Sequence, residues 1–184
     1  SLHDALPIYI EDLFHALRFA FLILAQQKEL YVLHSASFLY RGRAFLVSGS
    51  SGTGKSTHSA LWHDLYQTPL LNGDLNLLGI RDNIPYAYGL PWCGTSGICT
   101  PKDYPLGGII FLKQAAIDQV QSLQPDEKVL HILQRMISPA WTKELLLRNL
   151  HFSEALAPLI FSCRLYCTKE PSAARTLKAA IDAL

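Results

Sequence analysis

Apolar residues at Ile10, Leu13, Phe14, Leu17, Phe21 and Leu24 recur at the three- and four-residue spacing of one helical face, which predicts a helix over 10–27. The period then shortens. Residues 31–40 alternate loosely, Arg41-Gly42 offers a turn, and 43–48 contains the apolar run Ala44-Phe45-Leu46-Val47, so the two segments read as a hairpin. A glycine-rich interval follows, then a helical stretch over 57–65. Short strands are expected at 69–74, 75–81 and 84–90, the last two joined by the turn pair Asp82-Asn83, and further strands at 108–113 and 119–123. Helical spacing returns at 126–137 and 143–156, separated by Ser138-Pro139. Residues 161–168 are strand-like, and a last helix is expected over 172–183 with Ser172 as its cap after Pro171. No internal repeat or low-complexity tract appears. Strands and helices do not alternate regularly, so the expected fold is α/β, a mixed and partly antiparallel sheet flanked by helices.

Composition narrows this picture without changing it. The 184 residues, 49% hydrophobic and 17% charged, suit one domain with a sizeable core over 9–184 and leave no room for a second full domain. A net charge of +1, with basic residues scattered, gives no footprint for nucleic acid or an anionic membrane, and neither is an expected partner. The apolar stretch 13–25 contains His15 and Arg18, is too short to span a bilayer, and reads as a buried helix. Cys93 and Cys99 share a Gly/Thr/Ser loop while Cys163 and Cys167 share a strand face; neither pair has zinc spacing, so free thiols in a cytoplasmic protein are expected. The chain opens on Ser1 without Met. Residues 1–8 read as a non-native leader, and the natural domain is expected to extend further upstream.

The interval after the hairpin is Gly49-Ser50-Ser51-Gly52-Thr53-Gly54-Lys55-Ser56-Thr57, a complete G-x-x-x-x-G-K-[ST] phosphate-binding loop between a strand and a helix. Its glycines allow consecutive N–H groups to turn inward around a polyphosphate, and the next helix presents its positive end to the same anion. Lys55 is expected on the β- and γ-phosphates of ATP or GTP, and the Ser56 hydroxyl on Mg2+. Such enzymes hold the metal with a nearby carboxylate as well. Asp74, one helix and one short strand after Lys55, is the candidate, although Asn72-Gly73-Asp74 is good turn chemistry in itself. His34 lies where the hairpin would bring it back to the loop end of the sheet, as a core residue or a catalytic one.

The loop 91–99 is either a structural loop packed through Trp92 or a cover over the phosphates with Thr95 or Ser96 donating. Cys93 has no base beside it to make it a nucleophile. His63, Asp64 and Asp103 read as surface or turn residues, and His131 and His151 as structural ones.

Together His34-Ser35-Ala36-Ser37, the hairpin, the loop 49–57 and Asn72-Gly73-Asp74 resemble the catalytic domain of HPr kinase/phosphorylase, a family related in its nucleotide core to phosphoenolpyruvate carboxykinase. The resemblance covers residues 31–113, and the segment 86–94 looks like a separate bacterial branch of that superfamily. It implies a P-loop nucleotide-binding domain of the HPr kinase/phosphoenolpyruvate carboxykinase type. The implied activity is an ATP-dependent phosphotransferase, with Mg2+, acting on a hydroxyl of a protein, peptide or small molecule. Asp74, His34 and Lys55 would be its catalytic groups. The family carries two adjacent aspartates where this chain has Gly73-Asp74, and the family's downstream acidic signature is not recognisable. The alternatives are a non-catalytic nucleotide-binding sensor or scaffold and a carboxykinase-like enzyme, the latter weakened by the lack of an arginine cluster for a dicarboxylate. Homo-oligomerisation is left open.

Overall fold

A computed structural model describes residues 2–92 and 94–184; Cys93 and the side chains of 1–8, 11 and 95 fall outside that description, and with them the leader at 1–8, the Cys93 role and the Thr95 donor. Helix α1 (Leu2–Gln27) leads into β1 (Tyr31–Tyr40) and β2 (Arg43–Ser48). Arg41 and Gly42 both take positive φ, 50° and 74°, the backbone of a type I′ turn, whose twist suits a two-residue hairpin. After α2 (Lys55–Tyr66) come β3 (Leu70–Asn72), β4 (Leu75–Arg81) and β5 (Ile84–Tyr88). Asp82 and Asn83 repeat the same solution between β4 and β5, with φ of 52° and 61°. The remainder is β6 (Tyr104–Gln114), β7 (Gln119–Ser122), α3 (Pro125–Arg135), α4 (Lys143–Leu156), β8 (Phe161–Cys167) and α5 (Pro171–Asp182).

The strands form a mixed sheet in the order β2-β1-β4-β5-β6-β8-β7, with β3 against β1 and a further pairing of β2 with β6. Most pairs are antiparallel; β2, β6 and β8 run parallel. Two long strands change partners partway. In β1, residues Tyr31 to His34 pair with β4, and Ser35 to Tyr40 pair with β2. In β6, Tyr104 and Pro105 pair with β5, and the rest with β2 and β8. The pairings thereby close a ring through β1, β2, β6, β5 and β4.

Strand periodicity distributes the core. In β2, Leu46 faces one cluster with Leu33, Ile109, Phe111, Ile132 and Leu156, while Phe45 and Val47 face another with Phe38, Trp62, Ile110, Leu165 and Leu177. The first lies under α3 and α4, the second under α2 and α5. A sheet covered on both faces needs apolar residues at successive positions, which is why 44–47 is an unbroken apolar run. Gly107 is required by this packing, because a Cβ there would come 2.6 Å from the Phe45 ring.

Two expectations are corrected. The stretch 13–25 is helical but not buried: Leu13, Phe14, Leu17 and Leu24 are 48–61% exposed, and the packing of α1 gathers toward its end, where Phe21, Leu22 and Ala25 join Val32, Leu75 and Leu77. Nor does Ser172 cap α5. Pro171 occupies the first turn, where its missing N–H is no loss, so the cap position falls to Glu170. The Ser172 hydroxyl instead donates to Asp118. Cys163 and Cys167 are buried and unbridged, burial pushing the first thiol up to about 12 and the second to about 11. Among the described residues no helix is long and apolar enough to cross a membrane.

Candidate functional site

The loop from Gly49 to Gly54 leaves the carboxyl end of β2 and turns straight into α2. Gly52 and Gly54 take positive φ, 77° and 100°, a conformation that L side chains resist. Gly49 is fixed by contact instead, since a Cβ there would sit 2.5 Å from Thr53 Oγ1. That hydroxyl donates to the Ser50 carbonyl at 2.7 Å and the Gln114 amide donates to the Gly52 carbonyl at 3.0 Å, so neighbouring elements hold the loop's shape. Gly54 is the N-cap of α2 and has no side chain to accept from the first turn. The amides there face outward with the helix dipole behind them, an arrangement suited to an anion. Lys55 Nζ donates to the carbonyls of Gly49 and Ser50, at 3.2 and 3.4 Å, and stays over the loop. Ser51, Ser56 and Thr57 are exposed beside it.

Asp74 reaches the same place from another direction. Its turn is built by Asn72, buried against β1, whose side-chain oxygen accepts from the amides of Asp74 and Leu75 at 2.9 and 3.0 Å and whose Nδ2 donates to the Trp92 carbonyl at 2.9 Å. Asn72 thus performs the local hydrogen bonding that short polar side chains do in turns, and the Asp74 carboxylate is not consumed by it. The Asp74 carbonyl accepts from the Ser35 amide at 3.0 Å, pinning the turn to β1. Behind it Ser37 donates to Asn76 at 2.6 Å and Asn76 donates to the Ser35 carbonyl at 2.7 Å. His34 sits where β1 changes partners. Its carbonyl accepts from Ser48 at 2.7 Å, and its Nε2 lies 3.6 Å from Asp74 Oδ1.

One cavity of about 560 Å³ is lined by His34, Lys55, Ser56, Gly73 and Asp74, with Trp92, Gly94 and Ser96 from the covering loop. The structure therefore brings together the loop lysine and serine, the carboxylate and the histidine. Gly94 closes tightly on the carboxylate: its φ is +57°, and a Cβ would meet Asp74 Cβ at 2.7 Å. Burial and the Lys55 charge hold the His34 imidazole below its ordinary value despite Asp74, leaving it neutral at neutral pH and able to accept a proton. Burial also lowers the Lys55 ammonium, opposed by Asp74 and reinforced by Arg135.

The chemistry of the donors fits magnesium. A serine hydroxyl and a carboxylate are hard oxygen ligands, and Mg2+ at phosphate sites takes its remaining ligands from phosphates and water. No group of three or more His, Cys, Asp or Glu side chains able to cage a metal occurs among the described residues. Sequence reasoning missed Phe14, His15 and Arg18, which α1 contributes to this cavity. It missed also Arg135, whose Nη2 lies 3.3 Å from Ser50 Oγ on the loop's other flank. Both arrive from elements remote in sequence, so no local spacing could reveal them. His63 donates from Nδ1 to the Thr68 carbonyl, 3.0 Å away, and Asp103 accepts from the Gly89 amide, both structural tasks.

No protein-family model matches the chain, and no curated protein does. Among solved structures the chain is similar to the Hpr(Ser) kinase/phosphatase from Coxiella burnetii, at 9% identity over 82% of this chain and 98% of that one, with a TM-score of 0.41. So distant a likeness leaves the chemistry to be read from the residues themselves.

Proposed function

We propose that this protein binds a nucleoside triphosphate, ATP or GTP, with Mg2+ on the loop 49–57 and transfers its γ-phosphoryl group to a hydroxyl of a protein, peptide or small molecule, as the resemblance to HPr kinase/phosphorylase implies. The observation that carries this reading is the single cavity shared by Lys55, Ser56, Asp74 and His34. Lys55 and the first-turn amides of α2 hold the β- and γ-phosphates, and Ser56 and Asp74 supply oxygen ligands to the metal. Bound there, Mg2+ neutralises charge that develops on the phosphates. The acceptor oxygen forms its bond to the γ-phosphorus as the bond to the β-bridging oxygen breaks, and the nucleoside diphosphate leaves with that electron pair. The hydroxyl proton passes to Asp74 or to neutral His34. With His34 as the base, which acts in its neutral form, transfer rises with pH with a midpoint below the ordinary histidine value of 6.5.

Two variants test the reading by calorimetry and phosphate transfer. Lys55→Ala is expected to weaken Mg-nucleotide binding about ten- to a hundredfold, the scale of losing hydrogen bonds to a charged group. Asp74→Asn is expected to depress affinity for the magnesium complex far more than for metal-free nucleotide. Unchanged affinity in the lysine variant removes the nucleotide site, and an equal effect with and without metal returns Asp74 to a turn role. The Gly73 position favours a second reading, a nucleotide-binding sensor without turnover, which tight binding with no transfer to any acceptor would establish.

A further inference from the structure

Three cationic side chains from separate elements converge on the flank of the loop away from Asp74. Arg135 comes from the last turn of α3, Arg164 from the middle of β8, and Lys113 from the carboxyl end of β6. With Gly49, Ser50 and Thr53 they line a second cavity of about 510 Å³. No carboxylate lines it, and no salt bridge among the described residues engages any of the three. Their existing contacts are neutral. Arg135 points Nη2 at Ser50 Oγ, 3.3 Å away, and Lys113 Nζ lies 5.4 Å from the centre of the Tyr166 ring. Arg164 Nη1 donates to Gln121 Oε1 at 3.1 Å, and its Nη2 to His131 Nε2 at 2.6 Å. A guanidinium can only donate, so His131 accepts there and its ring is neutral. The acid close to this group, Glu127, is occupied at the start of α3, where its carboxylate accepts from the Gln124 amide at 2.9 Å. Like charges gathered in a cleft repel one another unless an anion enters. The position suits one too, at the carboxyl ends of the parallel strands β2, β6 and β8, where ligands of α/β sheets collect.

We propose that this second cavity is an anion subsite that takes a phosphate group, held by Arg135 and Lys113 with Arg164 behind them. The group belongs either to the nucleotide's own phosphate chain, reaching across the loop, or to a separate phosphate-bearing molecule beside it. The inference extends the proposed function by adding a second, cationic wall to the loop, and it rests on that reading only for the identity of the loop's own ligand.

The test titrates the full chain with Mg-ATP, with inorganic phosphate, and with phosphate in the presence of saturating Mg-ATP. The natural protein is compared with Arg135→Gln/Lys113→Gln, with Arg135→Lys, and with Lys55→Ala. Neither Arg135 nor Lys113 belongs to an apolar core, and matching thermal midpoints verify the fold. If the double variant is unstable, Lys113→Gln alone serves, because that side chain is exposed. The double variant is expected to lose about tenfold or more in affinity for at least one probe, with Arg135→Lys recovering part of it. Phosphate that binds beside saturating Mg-ATP and needs Arg135 identifies a separate ligand. Phosphate excluded by Mg-ATP, with Mg-ATP itself weakened in the variant, identifies the nucleotide's own chain. Affinities for both probes unchanged in the double variant, or no binding of either probe to the natural protein, overturn the inference. Failure of the proposed function looks different: Lys55→Ala then leaves Mg-ATP unaffected while phosphate still depends on Arg135.

Discussion

At the scale of single residues the consequential position is Gly73. The resembled family carries a carboxylate there, and in the proposed function Asp74 alone would serve both the metal and the acceptor. A group that helps to hold a cation is a weakened base, since the cation stabilises its ionised form. Neutral His34, 3.6 Å away, is then the remaining proton acceptor. Transfer by the natural protein should therefore be measurable but slow, and Gly73→Asp should raise it toward the roughly 10² to 10⁴ that general-base assistance supplies. Multiple-turnover assays with serine-containing peptides and small alcohols read this directly. A rate lowered by the added carboxylate would mean that Gly73 is needed as it stands. That Lys55, Ser56, Asp74 and His34 lie around one cavity was legible in the sequence, because a loop motif fixes two of them and a short turn and hairpin carry the others back to it. Asn72 was not separable from Asp74 by sequence, because both are turn formers; its hydrogen bonds from the Asp74 and Leu75 amides show that it does the turn's work.

Among the elements, strands were easier to find than to delimit. The hairpin of β1 and β2 follows from alternation and Arg41-Gly42, and β4 with β5 from Asp82-Asn83. β6 begins at Tyr104, ahead of the expected 108, because Pro105 and Gly107 look like loop residues until Phe45 is seen to fill the space above the glycine. For α1, spacing gave the helix and apolarity suggested burial, but burial depends on what lies opposite. The start of α5 was misread for another reason, since Ser172 is engaged by Asp118. That aspartate accepts from the Thr168 amide at 2.6 Å and from the Thr168 and Ser172 hydroxyls, tying β8 and α5 to the segment before β7. Burial alone would raise its carboxyl, and these donors hold it below the ordinary value of 3.8. Asp118→Ala should destabilise the protein by about 1–3 kcal/mol, because three donors lose a charged acceptor together. Urea unfolding measures it, and a change within error would reduce Asp118 to a surface residue.

Across the whole molecule, acid sensitivity should begin with the histidines that folding depresses, His34, His131 and the most deeply buried of them, His58. It is 2% exposed under α5, its ring nitrogens make no full hydrogen bond, and burial lowers its affinity for protons although the Thr168 backbone and Asp118 oppose. A histidine depressed on folding binds more protons when unfolded, so its contribution is present above 6.5 and is lost as pH falls from there toward its folded value. Asp118 follows the carboxylate rule, its contribution present above 3.8 and lost as pH drops through its lower folded value. Thermal midpoints taken from neutral to acidic pH should fall in two stages, and His58→Gln should flatten the upper one; an unaltered profile in that variant would assign the loss elsewhere. The ring of pairings through β1 and β6 has a further consequence. The loop side of the site hangs from β2 and the carboxylate side from the β3–β4 turn, and both are stitched to the same strand, β1, where β2 pairs with Ser35 to Tyr40, β3 with Ser37 and Phe38, and β4 with Tyr31 to His34. The jaws of this site are thus welded to one bar. Their gap is set when the chain folds, and the remaining wall of the cavity is supplied by α1 and by the loop that carries Gly94.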